Sequence, residues 1–186
     1  NFLTKENSFI FESVEKRKIR GRYTIIGSDP DKVWEFNNKK IYLYENNNKK
    51  LIKAASYPFL RKLIEEFSFP LPKNLPPICS LLVGYFSYDI IRYIEKIPNN
   101  CVDDLKIPDI RLLRPKTIII HDNIDKQIYY IKNCFADEKI DNYKKYYIKT
   151  IKNIIELDNL TFKKNNNIKN KKKSKINKIN KIKSNI

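Results

Sequence analysis

The sequence predicts an α+β domain in which a few helices cover an antiparallel β-sheet. Short apolar runs with the alternation of β-strands occur in pairs. Separate stretches carry apolar residues every three or four positions, as on one face of a helix. Hydrophobic residues make up 41% of the 186 residues, which is enough for one core of ordinary domain size. We therefore expect a sandwich-type antiparallel sheet with covering helices.

The predicted strands come mostly in pairs, and each pair is joined by a short polar connection that suits a hairpin. Phe9–Phe11 and Tyr23–Ile26 form the first pair, and Gly27-Ser28-Asp29-Pro30 is predicted to end it. In the second pair, Asn residues near 37–40 can adopt the positive φ of a tight turn. The later strands are predicted over 32–36 with 41–45, over 80–86, and over 117–120 with 127–132.

Three helices are predicted from apolar stripes. Tyr57–Phe69 begins near a proline and has four apolar residues on one face. Four prolines then exclude regular structure from 70–78, so an extended connector is expected there. The other two predicted helices are Tyr88–Glu95 and the amphipathic Asp137–Asp158.

The formal net charge is +17, and much of it lies near the end of the chain. From Lys163 to Ile186 there are ten lysines and no acidic residue, so we expect a disordered, solvated linker. The predicted domain covers 1–162 and the linker covers 163–186. An excess of Lys, Asn and Ile is what an AT-rich genome produces. Nucleic-acid binding is the alternative explanation of the charge, but the tail has no aromatic residue to stack on a base.

Cysteine usage and hydropathy argue against several classes of protein. Cys79, Cys101 and Cys134 are widely spaced, so neither a zinc site nor a disulfide framework is expected, and a reducing, cytoplasmic setting is the default. No apolar run approaches the length of a membrane span, and no signal-peptide pattern is present. The sequence begins at Asn1 and contains no Met, from which we expect a fragment of a longer protein.

No motif by itself predicts catalysis, because the sequence has no phosphate-binding glycine loop, metal-ligand cluster or nucleophile motif. His121 is expected at a strand end and Trp34 in the core. Asp89 is expected to cap a helix and to pair with Arg92, three residues on.

Two polar residues, Glu12 and Ser13, stand where the first predicted strand ends. A sheet holds such groups rigidly, so they are candidate contacts for a small ligand.

Four sequence blocks occur in order over about 115 residues. They are Ile10-Phe11-Glu12-Ser13; Arg20-Gly21-Arg22-Tyr23-Thr24-Ile25-Ile26-Gly27 followed by Asp29-Pro30; Gly84-Tyr85-Phe86-Ser87-Tyr88-Asp89 with Arg92; and Pro108-Asp109 followed by Arg114-Pro115. Together they resemble the N-terminal region of anthranilate synthase component I. The sequence departs from that pattern at Phe11, where the family has Leu. Its last residues, Lys183-Ser184-Asn185-Ile186, resemble the signature that opens the family's catalytic half.

The resemblance implies an activity for the full-length protein. That protein would convert chorismate to anthranilate, using Mg²⁺ and ammonia from a glutamine amidotransferase partner. In the family the chorismate and Mg²⁺ residues lie in the catalytic half, so the resemblance assigns no catalytic or metal residue to this chain. The chain is expected to lack that half and to be inactive alone.

The resemblance also implies a feedback site for tryptophan. Ser13 would hydrogen-bond the polar end of the ligand, Glu12 would face its ammonium, and Arg22 would lie near its carboxylate. Because the family builds this site where the two halves meet, the isolated chain is expected to bind tryptophan weakly. The related aminodeoxychorismate synthase remains an alternative, although the block from Arg20 to Gly27 fits anthranilate synthase better.

Overall fold

A computed structural model describes residues 6–12, 21–67, 70–98, 100, 102–138 and 140–163, with the backbone alone over 157–163. In these ranges seven strands form one sheet, and every pairing is antiparallel. The α+β prediction is confirmed. The strands are β1 Phe9–Phe11, β2 Tyr23–Asn37, β3 Lys40–Glu45, β4 Asn48–Ile52, β5 Val83–Phe86, β6 Ile110–Asp122 and β7 Gln127–Lys132; the helices are α1 Ser56–Glu66, a 3₁₀ helix Tyr88–Tyr93 and α2 Tyr143–Lys163.

The centre of the sheet is a long ribbon formed by β2 and β6. The two strands pair from Tyr23 opposite Asp122 to Phe36 opposite Ile110, with a bulge between Pro30 and Lys32. The prediction that Gly27-Ser28-Asp29-Pro30 ends the strand is therefore wrong. Asp29 takes a positive φ of 53°, and Pro30 faces Pro115 at the bulge, so the strand bends there and continues.

The ribbon has different neighbours at its two ends. Around the first half of β2, β1 lies on one side and the β6–β7 pair on the other. Around the second half, the neighbours are β3 with β4 and, beyond β6, β5. All three predicted strand pairs are present, and β4 is an additional strand that the sequence did not predict.

Two apolar cores lie along the ribbon. In one, Leu60 and Leu63 of α1 pack on ribbon residues such as Trp34 and Phe36. In the other, Ile118 and Ile120 pack with Cys79 and with leucines of the Pro-rich connector. The connector thus covers the half of the sheet that α1 does not, and Trp34 is buried as predicted.

Charged residues surround the bulge, and we call Asp31, Lys32, Arg114 and Asp137 the waist cluster. Arg114 is buried and donates from Nε to Asp31 at 2.9 Å and from Nη1 to Asp137 at 3.1 Å. Lys32 donates to Asp137 at 2.6 Å. The ring of Phe135 lies 4.0 Å from the guanidinium carbon of Arg114. This cluster anchors the segment that follows β7 to the middle of the ribbon.

The tight turns use residues with positive φ. Asn38 and Lys39 at the β2–β3 turn have φ values of 47° and 61°, which confirms the expectation for Asn at this turn. Asn46 and Asn47 form the β3–β4 turn in the same way, at 50° and 62°. This second Asn pair indicates a hairpin turn in the sequence. The strand β4 that follows it is mostly polar, so it lacks the apolar alternation from which strands are predicted.

The predicted helices are present with shifted ends. In α1, Leu60 and Leu63 are buried as expected, but Ile64 is 52% exposed. The helix predicted over 88–95 is a 3₁₀ helix, and Arg92 donates to Asp89 at 2.8 Å as predicted.

The predicted start of the last helix at Ala136-Asp137 is wrong. Asp137 is engaged in the waist cluster, and α2 begins after Asn142, whose side chain accepts from the Lys145 N–H at 2.9 Å. Contacts divide the chain into two units, Asn1–Glu138 and Lys139–Ile186, and α2 belongs to the second. The tail predicted to be disordered lies, from residue 164 onward, outside the described residues.

Candidate functional site

The candidate site lies at the sheet end where β1 and β6 finish and β2 and β7 begin. Phe11, the last residue of β1, pairs with Ile25 of β2. Tyr23, the first residue of β2, pairs with Asp122, the last residue of β6. Glu12 directly follows β1 and Arg22 directly precedes β2, so both belong to this end.

The guanidinium of Arg22 is bound by two carboxylates. It donates to Oδ2 of Asp122 from Nε at 2.9 Å and from Nη2 at 2.6 Å. Nη2 also donates to Oδ2 of Asp125 at 2.7 Å. The Asp122 side chain is 1% exposed, whereas those of Arg22 and Asp125 are 36% and 52% exposed. Arg22 therefore links a buried acid to a surface acid.

Asp122 also organises the β6–β7 turn. Its Oδ1 accepts from the backbone N–H groups of Ile124 at 2.9 Å and Asp125 at 3.2 Å. The hydrogen bonds from Arg22 lower the pKa of Asp122 to about 2, and these backbone N–H groups act in the same direction. Burial acts in the opposite direction but is outweighed. The carboxylate is thus ionised over the whole physiological range of pH.

Asn123, in the same turn, is hydrogen-bonded to the residues around the start of β2. Its backbone N–H donates to the carbonyl of Arg22 at 2.7 Å. Its side-chain amide donates to the hydroxyl of Thr24 at 3.3 Å and to the carbonyl of Gly21 at 3.4 Å. Gly21 has a φ of 79°, a conformation that suits glycine. Residues on both sides of Arg22 are therefore fixed.

The predicted ligand contacts differ in their surroundings. Glu12 is exposed, and its carboxylate makes no hydrogen bond to any described residue. Arg22 is bonded to Asp122 and Asp125, and no hydrogen bond or ion pair joins the described residues Arg22 and Glu12. Ser13 lies in 13–20, outside the described residues. The ligand roles of Glu12, Ser13 and Arg22 stay predictions.

Comparison with known proteins places the chain in a family. The sequence model described as chorismate binding enzyme matches residues 6–184. The chain belongs to the chorismate binding enzyme family. The match takes in Glu12, Arg22 and Asp122 together with the whole β2–β6 ribbon.

Relatives in this family carry the name anthranilate synthase component 1. The chain is 33% identical to that of Cereibacter sphaeroides over 131 residues, which is 67% of the chain and 26% of the relative. It is 30% identical to that of Acetivibrio thermocellus over 134 residues, which is 72% of the chain and 27% of the relative. The chain thus spans about a quarter of the length of these relatives.

A solved structure shows the same fold. Anthranilate synthase component I from Streptococcus pneumoniae TIGR4 superposes with a TM-score of 0.59 at 20% identity, over 78% of this chain and 32% of that chain. The α+β fold is therefore that of the corresponding part of a chorismate binding enzyme.

Three residues that bond to Arg22 could not be identified from the sequence. Asp122, Asn123 and Asp125 lie in the short polar connection between the strands predicted over 117–120 and 127–132. The signal available was the position of an Asp at the first residue of a hairpin turn, where its side chain commonly accepts backbone N–H groups. Nothing in the sequence showed that the same Asp faces Arg22.

The His, Cys, Asp and Glu side chains of the described residues are not clustered. In no place among them do three or more His, Cys, Asp or Glu side chains come together in a way that could hold a metal ion. The two acids beside Arg22 already share its positive charge. In the part of the chain that is described, no helix is long and apolar enough to cross a membrane.

Proposed function

We propose that this chain is the N-terminal, tryptophan-sensing part of an anthranilate synthase component I. The longer protein would convert chorismate to anthranilate with ammonia from a glutamine amidotransferase partner. The observation that carries the proposal is the 33% identity over 131 residues to a protein named anthranilate synthase component 1. The names of the relatives favour anthranilate over aminodeoxychorismate as the product.

Chorismate and Mg²⁺ are proposed to bind the part of the longer protein that this chain does not span. What supports this is the extent of the match, since the chain corresponds to about a quarter of its relatives. Mg²⁺ would supply positive charge for the carboxylates of chorismate. This chain contributes regulation in the proposal and no catalytic group.

Tryptophan is proposed to bind at the sheet end, with Glu12 and Ser13 as its main contacts. Glu12 is exposed, so its carboxylate is accessible to the ammonium of an amino acid. Nε and Nη2 of Arg22 are already bonded to Asp122 and Asp125, so the ligand carboxylate would bond to Nη1 or displace the surface acid Asp125. A ligand that binds the inactive arrangement more tightly shifts the population toward it.

The product is tested with the full-length protein. Chorismate, Mg²⁺ and ammonia are supplied, and both possible products are measured. We expect anthranilate, and we expect tryptophan to inhibit its formation. Aminodeoxychorismate as the product would overturn the assignment.

The regulatory role is tested with a chimera that needs no other part of this protein. The segment of the Cereibacter sphaeroides enzyme that matches this chain is replaced by residues 6–138. We expect the chimera to form anthranilate and to be inhibited by tryptophan. A matched variant, Phe11→Leu, restores the residue found in the family and should bind tryptophan at least as well. An active chimera that tryptophan does not inhibit would contradict the proposal.

A further inference from the structure

The face of the sheet under α1 contains an apolar slot that opens to solvent. Trp34, Leu43, Ile52, Phe59 and Leu63 line it. Its volume is about 250 Å³, somewhat below the roughly 300 Å³ at which sites for drug-sized ligands begin. The slot therefore suits one apolar side chain better than a large cofactor.

The walls of the slot are fixed by the fold. Trp34 of β2 pairs with Leu43 of β3, so both side chains point to the same face of the sheet. Ile52 of β4 lies on that face as well, because it pairs with Ile41 on the adjacent strand. Trp34 is only 5% exposed, so this wall is formed before any ligand arrives.

Three charged residues surround the mouth of the slot: Lys32, Lys62 and Glu66. Lys32 is already engaged, since it donates to Asp137 at 2.6 Å and lies 3.4 Å from Glu45. Lys62 and Glu66 are separated by 3.9 Å, and their side chains are 75% and 60% exposed. The mouth thus offers one ammonium and one carboxylate that are weakly engaged with each other.

We propose that the slot binds a free apolar α-amino acid. Its side chain occupies the slot, its carboxylate bonds to Lys62, and its ammonium bonds to Glu66. The ligand exchanges one weak ion pair for two charge-assisted hydrogen bonds and removes its own apolar side chain from water. This site is distinct from the sheet end with Glu12, and it does not depend on the proposed function.

Trp34 provides the readout, because it is the only tryptophan in the sequence. The full chain is titrated with L-phenylalanine and with L-leucine while the tryptophan emission is recorded. We expect a saturable change with a midpoint below about 10 mM. Phenylacetate and phenethylamine each keep only one charge of the amino acid, so each should bind about tenfold more weakly.

Variants at the mouth identify the charged contacts. Lys62→Gln and Glu66→Gln should each weaken L-phenylalanine binding about tenfold. Arg61→Gln and Glu65→Gln are matched controls, because Arg61 and Glu65 form a pair of the same spacing on the same helix, at 3.4 Å, without lining the slot. Binding by these controls should equal that of the unchanged chain.

Two further variants locate the ligand. Leu43→Phe fills the slot and should abolish the emission change, whereas Glu12→Gln should leave it intact. The proposal is overturned if neither L-phenylalanine nor L-leucine changes the emission of Trp34. Equal affinity for phenylacetate, or equal loss of binding in the control pair, would overturn it as well.

Discussion

Arg22 donates two hydrogen bonds to one oxygen of Asp122, a residue 100 positions away, and thereby ties the start of β2 to the end of β6. Both strands belong to the central ribbon, and the Asp122 side chain is almost completely buried. An isolated buried carboxylate would be costly, so Arg22 stabilises the charge that the β6–β7 turn requires.

Asp122→Asn should lower the free energy of unfolding by about 2 kcal/mol, because the amide can still accept the turn N–H groups but loses the charge opposite Arg22. Urea denaturation measures the change. Asp125→Asn is the control, since Asp125 is half exposed and its loss should cost only about 0.5 kcal/mol. Equal effects of the two substitutions would contradict the special role of Asp122.

Stability should fall at acidic pH. The hydrogen bonds from Arg22 lower the pKa of Asp122 to about 2. For Asp137, burial acts in the opposite direction, but Lys32 and Arg114 outweigh it and lower the pKa to about 2. A carboxyl whose pKa is lowered from 3.8 on folding stabilises the native state fully above about pH 4, and this stabilisation disappears as the pH falls to about 2.

The test of this pH dependence is a series of unfolding curves between about pH 6 and pH 2. The loss of stability should be smaller in Asp122→Asn, which has no carboxyl to titrate at that position. A variant that loses as much stability as the unchanged chain over this range would show that other groups cause the acid sensitivity.

Arg114→Lys should destabilise the protein by about 2 kcal/mol, because an ammonium cannot reproduce the forked hydrogen bonds to Asp31 and Asp137 or the stacking on Phe135. Thermal unfolding measures the effect. The control is Arg61→Lys, the same substitution on the exposed face of α1, which should change the melting temperature little. Equal melting temperatures for the two variants would show that the guanidinium of Arg114 stabilises the waist cluster no better than an ammonium does.

Gly84→Ala should cost about 3 kcal/mol, since the added Cβ would lie 1.8 Å from the backbone oxygen of Arg111 and would push β5 away from β6. Gly27→Ala is the informative comparison. There the added Cβ meets the far end of the Phe9 ring at 2.2 Å, and that side chain can move. Denaturation should therefore show a smaller loss for Gly27→Ala than for Gly84→Ala.

Glu12→Gln in the chimera should weaken inhibition by tryptophan about tenfold, while the rate without tryptophan stays unchanged, because the substitution removes the charge proposed to face the ligand ammonium. Anthranilate formation over a range of tryptophan concentrations measures it. Asp104→Asn, an exposed acid in a loop, is the control and should not alter inhibition. Unchanged inhibition in Glu12→Gln would remove Glu12 from the site.

Local features of the fold could be predicted from the sequence. The Asp89–Arg92 pair and the hairpin turn at Asn38 depend on residues within a few positions of one another. Alternation and turn residues were therefore sufficient to find them. The buried stripe of α1, with Leu60 and Leu63, followed in the same way from its spacing.

Long-range features could not be predicted from one sequence. Gly27-Ser28-Asp29-Pro30 has the composition of a strand end, but Pro115 faces it from β6 and allows the strand to continue. Asp137 looked like a helix start, yet Arg114 and Lys32 bind it. The partners of Arg22 were missed for the same reason, since the fold alone brings them together.

The β2–β6 ribbon also determines the order in which this protein can fold during synthesis. Each residue of β2 finds its partner in β6 roughly 75 to 100 residues later in the chain, so the loop that must close is long. While the ribosome makes the intervening residues, β1, β2, β3, β4 and α1 are the described elements that already have partners nearby in the sequence. One edge of β2 stays open during that interval, and an open strand edge is where chains associate wrongly. The delay before β6 emerges is therefore the period in which a chaperone would protect this protein most.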